Sequence, residues 1–140
     1  MRNRILPAAA VVLAVAVLGA CTPRPQGQAS GTATVTVDGK DTKFQIVNCT
    51  QVEWIRTIYI GGDFAGAKVV VDQRKEPATT ESVRIQNLGG FTGMFSQGGG
   101  GDASMSYSGD RFTITGTANG YKVDKPAEPA TATFKISVTC

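Results

Sequence analysis

The residue with the clearest chemistry is Cys21, which follows Leu18, Gly19 and Ala20. Two small residues before a cysteine let an extended chain enter a peptidase, and Leu-Gly-Ala-Cys matches the bacterial lipobox. In that motif the cysteine thiol is alkylated with diacylglycerol, and the chain is then cleaved before the cysteine. We therefore predict lipidation of Cys21, with two or three acyl chains that attach the mature chain to a membrane.

The segment before Cys21 has the pattern of an export signal. Arg2 and Arg4 are its only charged residues, and residues 5–18 form an apolar run too short for a stop-transfer helix. Residues 1–20 are accordingly predicted to be a signal peptide. The alternative is an ordinary cleaved signal peptide followed by a chance cysteine, in which case no lipid is attached.

The chain contains three cysteines, so Cys49 and Cys140 remain when Cys21 carries lipid. Exported chains meet an oxidising compartment in which two thiols normally pair. We therefore predict a disulfide between Cys49 and Cys140, which would stabilise the fold by constraining the unfolded chain. The alternative is a reactive thiol, but neither cysteine has a histidine or a Cys-x-x-Cys partner to activate it.

The chain has no histidine. This excludes Ser-His-Asp and Cys-His catalysis and histidine-containing zinc sites. Two carboxylates could still support glycoside hydrolysis, but none of the eleven acids lies in an apolar, aromatic-lined context that clearly marks it as a general acid. We predict a protein that is not an enzyme and uses no cofactor. Asp38, Asp41 and Asp63 lie beside glycines without the calcium-loop pattern, so we expect no metal site either.

The segment of residues 88–101 is half glycine, a composition that a β-sandwich alone does not require. The spacing of its glycines is not that of a phosphate-binding loop. One interpretation is a flexible loop whose Phe91, Met94 and Phe95 form the apolar lip of a cleft for a lipid tail or peptide. The other is a strand over residues 91–95 that packs its aromatic rings into the core.

Four other aromatic residues are candidates for a sugar- or lipid-binding face, because their rings offer large rigid contact areas. Trp54 and Tyr59 lie in residues 52–60, which we predict to be a long central strand because both of its faces carry apolar residues. Tyr107 and Tyr121 lie nearer the other end of the chain. Packing in the core or at its rim is the alternative role for all four.

From residue 32 onward the sequence has the pattern of short β-strands, rich in Val, Ile, Thr and Phe and separated by turn residues. Alternation over residues 131–140 predicts that the Cys140 thiol points inward. We predict a single all-β domain, mainly antiparallel, built as a sandwich or a strongly curved sheet with one disulfide and little helix. The eight predicted strands cover residues 32–37, 42–47, 52–60, 67–71, 82–86, 103–107, 111–118 and 131–140.

Residues 21–31 contain prolines, glycines and small polar residues, which predict a lipidated flexible tether. Residues 32–140 are predicted to be the β-rich globular domain. Without residues 1–20, twelve basic and eleven acidic residues remain, and they form no run of one sign. That balance argues against a nucleic-acid partner and against a polybasic lipid-binding segment.

Several segments together are similar to one protein family. They are Val37-Asp38-Gly39-Lys40-Asp41, Val47-Asn48-Cys49-Thr50, Ile58-Tyr59-Ile60-Gly61-Gly62, Gly101-Asp102-Ala103-Ser104, Ile114-Thr115-Gly116-Thr117-Ala118 with Gly120, and Phe134-Lys135-Ile136-Ser137-Val138-Thr139-Cys140. The chain resembles the nineteen-kilodalton lipoprotein antigen family of mycobacteria. The resemblance implies an acylated lipoprotein exposed at the cell envelope, recognised by host Toll-like receptors mainly through its lipid, with no enzymatic activity established.

The leading functional prediction is a non-enzymatic lipoprotein, anchored on the extracytoplasmic side of the cell membrane and displayed for host recognition or adhesion. The alternative is a carrier that binds a lipid or glycolipid in an apolar cleft, with contacts from Phe91, Met94, Phe95 and Trp54. A carrier of this size needs a dry pocket of several hundred Å³, whereas a display module can be packed solid.

Overall fold

The computed structural model describes residues 31–140. These residues form ten β-strands and no helix, so they contain no helix capable of crossing a membrane. The strands are β1 (Ala33–Val37), β2 (Lys40–Phe44), β3 (Val47–Val52), β4 (Ile55–Gly61), β5 (Gly66–Asp72), β6 (Thr79–Leu88), β7 (Phe91–Ser96), β8 (Asp102–Ser108), β9 (Arg111–Lys122) and β10 (Lys125–Thr139).

All paired strands are antiparallel and belong to one sheet, with the order β2-β1-β10-β9-β7-β6-β5-β4-β3. Strand β9 is the branch point, because one of its edges changes partner along its length. Residues 111–117 of β9 pair with β8, and residues 119–122 pair with β7. The opposite edge of β9 pairs with β10 throughout. This change of partner bends the sheet away from a flat arrangement.

The sheet curls until strands near its two ends meet. The Gly61 amide at the end of β4 donates a hydrogen bond of 2.9 Å to the Ile46 carbonyl, which extends the β3–β4 pairing by one position towards β2. A Cβ on Gly61 would lie 2.8 Å from the Phe44 ring of β2. The predicted all-β, antiparallel, strongly curved sheet is therefore confirmed.

The core lies inside this curved sheet and is built from alternate residues of the strands, as the two-residue period of a β-strand requires. In β10, the alternation predicted for its C-terminal half is confirmed, because Ala132, Phe134, Ile136 and Val138 are all buried. The other buried hydrophobic residues are Ala33, Val35, Val37, Val47, Ile58, Ile60, Ala67, Val69, Val71, Val83, Ile85, Leu88, Phe91, Phe95, Phe112, Ile114 and Ala118.

The long central strand predicted over residues 52–60 is wrong. The chain turns at Glu53, whose φ is 53°, and at Trp54, so that β3 and β4 form a hairpin. Apolar residues on both sides of this turn continue the strand pattern through it, which hides the turn in the sequence. The strand predicted over residues 42–47 also differs, because β2 ends at Phe44 and β3 begins at Val47.

Candidate functional site

The predicted lipidation residue, Cys21, lies outside the described residues, together with the predicted signal peptide. Within the described part, the chain reaches the domain at Gly31, between β10 and β3. A Cβ on Gly31 would lie 2.3 Å from the Thr139 carbonyl oxygen and 3.1 Å from the Cβ of Val47. Gly31 is therefore buried between these two strands, and the start of the described chain is fixed against the domain.

The predicted disulfide between Cys49 and Cys140 is confirmed. Cys49 lies on β3 at one end of the sheet, and Cys140 directly follows β10, with 5.9 Å between the two Cα atoms. Both side chains pack against the core. Because β3 and β10 are far apart in the strand order, the bond closes the curved sheet across the gap between its ends.

Phe91 and Phe95, predicted as candidate lip residues, lie in the core. They are 2% and 7% exposed on β7, whereas Met94 between them points outward and is 48% exposed. The strand interpretation of residues 91–95 is confirmed, and the expectation that Phe91 and Phe95 form an exposed lip is wrong. The physical reason is the alternation of a β-strand, which turns positions 91 and 95 to the same inner face.

The structure does not bring the candidate ligand-binding residues together. Trp54 is 59% exposed in the turn between β3 and β4. Met94 lies on β7, from which β5 and β6 separate that hairpin. The tyrosines are equally dispersed, because Tyr59 lies on β4, Tyr107 on β8 and Tyr121 on β9, and none is a register partner of another.

A different cluster forms on the outer face of β3 to β6. The register places Tyr59 between Asn48 and Lys68, and it places Lys68 opposite Arg84. The Nζ atom of Lys68 lies 5.3 Å from the centre of the Tyr59 ring, which is a cation–π distance. With Ile46 and the β4–β5 turn, these residues line an open depression of about 520 Å³.

One exposed apolar side chain lines this depression, and a second lies in the turn at its rim. Ile46 is 70% exposed between β2 and β3, and Phe64 is 82% exposed in the turn between β4 and β5. The Gly62 amide closes that turn with a hydrogen bond of 3.1 Å to the Ala65 carbonyl. Sequence reasoning missed this cluster because it depends on the register between strands, although the outward parity of Tyr59 between Ile58 and Ile60 was a usable signal.

The cations of this cluster are available to an external anion. Within residues 31–140, an ion pair joins Arg74 to Asp72, and neither Lys68 nor Arg84 takes part in it. Among the residues lining the depression, Asp63 is the carboxylate that accompanies the two cations. The cluster thus combines exposed apolar groups with a small positive excess, which suits binding rather than catalysis.

At the far end of β5, Asp72 accepts a hydrogen bond of 2.9 Å from the Arg74 amide and further bonds of 2.9 and 3.0 Å from its Nε. The guanidinium Nη2 of Arg74 also contacts this carboxylate. The side-chain bonds from Arg74, and next its backbone amide, lower the pKa of Asp72 to about 2. The pair fixes the loop after β5. Within residues 31–140, no three His, Cys, Asp or Glu side chains are placed to hold a metal ion.

Comparison with known proteins identifies the family. The family described as Mycobacterium 19 kDa lipoprotein antigen matches residues 26–140. The chain belongs to this family. The match spans the whole described domain, including both cysteines of the disulfide.

Relatives within the mycobacteria agree with this assignment. A protein named as a lipoprotein in Mycobacterium indicus pranii is 63% identical over 140 residues, which is 100% of each chain. One from Mycobacterium avium subsp. hominissuis is 62% identical over 140 residues, 100% of this chain and 97% of the relative. Lipoprotein LpqH of Mycobacterium tuberculosis is 37% identical over 116 residues, 81% of this chain and 72% of LpqH.

Proposed function

We propose that this member of the 19 kDa antigen family is a non-enzymatic lipoprotein of the mycobacterial cell envelope. Residues 1–20 direct export and are removed, and Cys21 becomes the acylated N-terminus. The acyl chains hold residues 32–140 at the outer side of the cell membrane. The protein acts by display, in host recognition through its lipid or in adhesion through its domain.

The observation that carries this proposal is the position of the family match. It begins at residue 26, directly behind a lipobox whose cysteine is Cys21. Several acyl chains on one residue attach a protein stably, whereas a single chain gives only marginal and reversible membrane binding. The Cys49–Cys140 disulfide further supports a compartment outside the cytoplasm, where such bonds persist.

The packing of the domain supports display over transport. A carrier would need a dry pocket, and the place predicted for its lip is occupied by Phe91 and Phe95 as core residues. The depression beside Tyr59 is open to solvent rather than enclosed. These features agree with a solid module that presents its outer surface.

Membrane fractionation of Cys21→Ala tests the anchor. The membranes are washed with high salt, which removes proteins held by electrostatic attraction. We expect the native protein in the washed membrane fraction and the exported Cys21→Ala protein in the soluble fraction, with loss of stimulation of Toll-like-receptor reporter cells. A double Cys49→Ser, Cys140→Ser variant is the matched control, because it alters the domain and leaves the anchor intact. It should stay with the membrane. If exported Cys21→Ala protein remained membrane-bound, the proposal would be overturned.

A further inference from the structure

Ile46 and the turn that carries Phe64 lie at the same end of the domain as Gly31, where the described chain begins. The Ile46 carbonyl accepts a bond from Gly61, which directly precedes the turn that carries Phe64. Val47, the next residue after Ile46, is the neighbour of Gly31, where the described chain begins. Single exposed apolar residues are common on protein surfaces. Two of them beside the tether entry are a feature that display alone does not explain.

Two cationic side chains, Lys68 and Arg84, lie on the same surface as Ile46. Ile46, Tyr59, Lys68 and Arg84 line one depression, and the turn that carries Phe64 forms its rim. Lys68 and Arg84 lie directly opposite each other, an arrangement of like charges that destabilises a sheet unless an anion approaches. Separate strands bring the two cations together, so no basic run is visible in the sequence.

The length of the tether limits which surface can face the bilayer. Cys21 and Gly31 are ten residues apart, and an extended chain of that length reaches at most about 35 Å. The path over the surface to the opposite end of a domain of this size is longer, about 50 Å, which is half the circumference of the corresponding sphere. A bilayer that holds acyl chains on Cys21 is therefore nearest to the surface beside Gly31.

We propose that Ile46, Tyr59, Phe64, Lys68 and Arg84 form a docking face for an anionic lipid bilayer. Ile46 and Phe64 enter the interfacial layer, and Tyr59 lies at headgroup level, where aromatic residues with a polar tip are favoured. Lys68 and Arg84 contact lipid phosphates, each adding electrostatic attraction that falls with salt. The inference rests on the proposed function, because acylation of Cys21 is what brings the bilayer to this face.

Vesicle co-sedimentation of the mature chain tests the docking face. Cys21→Ser is included so that no acyl chain contributes to binding. We expect this chain to bind vesicles of phosphatidylcholine with phosphatidylglycerol more strongly than vesicles of phosphatidylcholine alone. Ile46→Ser with Phe64→Ser should weaken binding to the anionic vesicles roughly tenfold. Lys68→Gln with Arg84→Gln should also weaken it roughly tenfold and reduce its salt dependence.

Matched controls come from the turn between β9 and β10, at another part of the surface. Val123→Ser removes an exposed apolar side chain, and Lys122→Gln with Lys125→Gln removes two exposed charges. Both variants should bind the anionic vesicles as the parent does. Equal losses in these controls would show non-specific binding and overturn the proposal.

Fluorescence reports which part of the surface meets the lipid. Trp54 is the single tryptophan, and it lies at the opposite end of β4 from the docking face. In a Trp54→Phe background, Phe64→Trp introduces an indole at the docking face, and its emission should shift to shorter wavelength with anionic vesicles. The emission of Trp54 in the parent should stay unchanged. A shift for Trp54 and none for the introduced indole would contradict the docking face.

Different results would overturn the proposed docking face and the proposed lipid anchor. A non-acylated chain that ignores both kinds of vesicle overturns the docking face, whatever the fractionation of Cys21→Ala shows. If light scattering finds a dimer that Ile46→Ser with Phe64→Ser converts to a monomer, and vesicles have no effect, then the face binds a second copy and the proposal is wrong. Circular dichroism of each variant verifies that the fold is retained.

Discussion

The pKa of Asp72 is lowered mainly by one neighbouring residue, Arg74. Hydrogen bonds from the Arg74 side chain and backbone amide favour the charged carboxylate, which lowers its pKa from 3.8 to about 2. A carboxyl group with a lowered pKa in the folded state stabilises the fold above its unfolded pKa. That contribution is lost as the pH falls from about 4 through the folded pKa.

Asp72→Asn should therefore reduce stability above about pH 4, and the difference from the native protein should shrink as the pH approaches the folded pKa. Urea unfolding at a series of pH values measures this difference. Asp124→Asn, at an exposed carboxylate in the β9–β10 turn, is the control and should change little. A stability difference that stays constant down to the folded pKa would contradict the assigned ion pair.

Single residues could be placed from the sequence where a regular alternation surrounds them. The inward direction of Cys140 followed from the buried parity of β10, which holds from Ala132 to Val138, and Cys140 packs against the core. Phe91 and Phe95 could not be assigned with the same certainty, because the neighbouring glycines also allowed a loop. The depression beside Tyr59 was not predictable, since it requires the register of four strands.

At the scale of elements, the antiparallel pairing of β7 with β9 contains a pair of facing glycines. Gly93 lies opposite Gly120 in the register. A Cβ on Gly120 would lie 2.0 Å from the carbonyl oxygen of Thr92, and a Cβ on Gly93 would lie 2.5 Å from the Phe91 ring. These glycines allow a close approach of backbone and ring at the point where β9 stops pairing with β8 and begins to pair with β7. The glycine content of residues 88–101 thus has a packing cause as well as a turn cause.

Gly120→Ala should destabilise the protein by about 1–3 kcal/mol, because the added methyl group overlaps backbone atoms that must shift. Gly62→Ala is the matched control, since a Cβ there meets nothing within 4 Å. It should change the free energy of unfolding by less than about 0.5 kcal/mol. Chemical denaturation of both variants makes the comparison. Equal stability of the two variants would show that the pairing of β7 with β9 does not require a glycine at position 120.

The elements that could be predicted are those bounded by recognisable turn residues. Asp38 and Gly39 separate β1 from β2 as expected. The β3–β4 hairpin was not predictable, because Glu53 and Trp54 are not typical turn residues and apolar side chains flank them. Tertiary contacts stabilise a turn at Glu53 that local preference does not favour.

At the scale of the whole molecule, the disulfide connects regions that the strand order separates. Cys49 and Cys140 are 91 residues apart in the sequence, so their bond constrains a long segment of the unfolded chain. The Cys49→Ser, Cys140→Ser variant should lose about 2–4 kcal/mol of unfolding free energy. Urea denaturation measures this loss, and thiol titration of the denatured native protein should find neither cysteine free. Two free thiols would contradict the bond.

The fold class could be predicted from the sequence, but the order of the strands in the sheet could not. Strand-type periodicity, turn spacing and two pairable cysteines indicated a curved antiparallel sheet with one disulfide. The order of the strands was not predictable, because β1 pairs with β10 at the other end of the domain sequence, and β7 pairs with β9 although β8 lies between them in the sequence. The branching of the sheet at β9 has no local signature in the sequence. Both β7 and β8 have an ordinary strand pattern, and either could pair with the same edge of β9.

The mass of the protein extracted from its own mycobacterial membranes tests the central claim most directly. The account predicts a chain that begins at Cys21, lacks residues 1–20 and carries the additional mass of acyl chains on its first residue. Fragment ions should place the acyl chains on Cys21 and the disulfide between Cys49 and Cys140. A membrane-extracted chain with an unmodified Cys21, or one whose N-terminus lies beyond it, would contradict the lipid anchor.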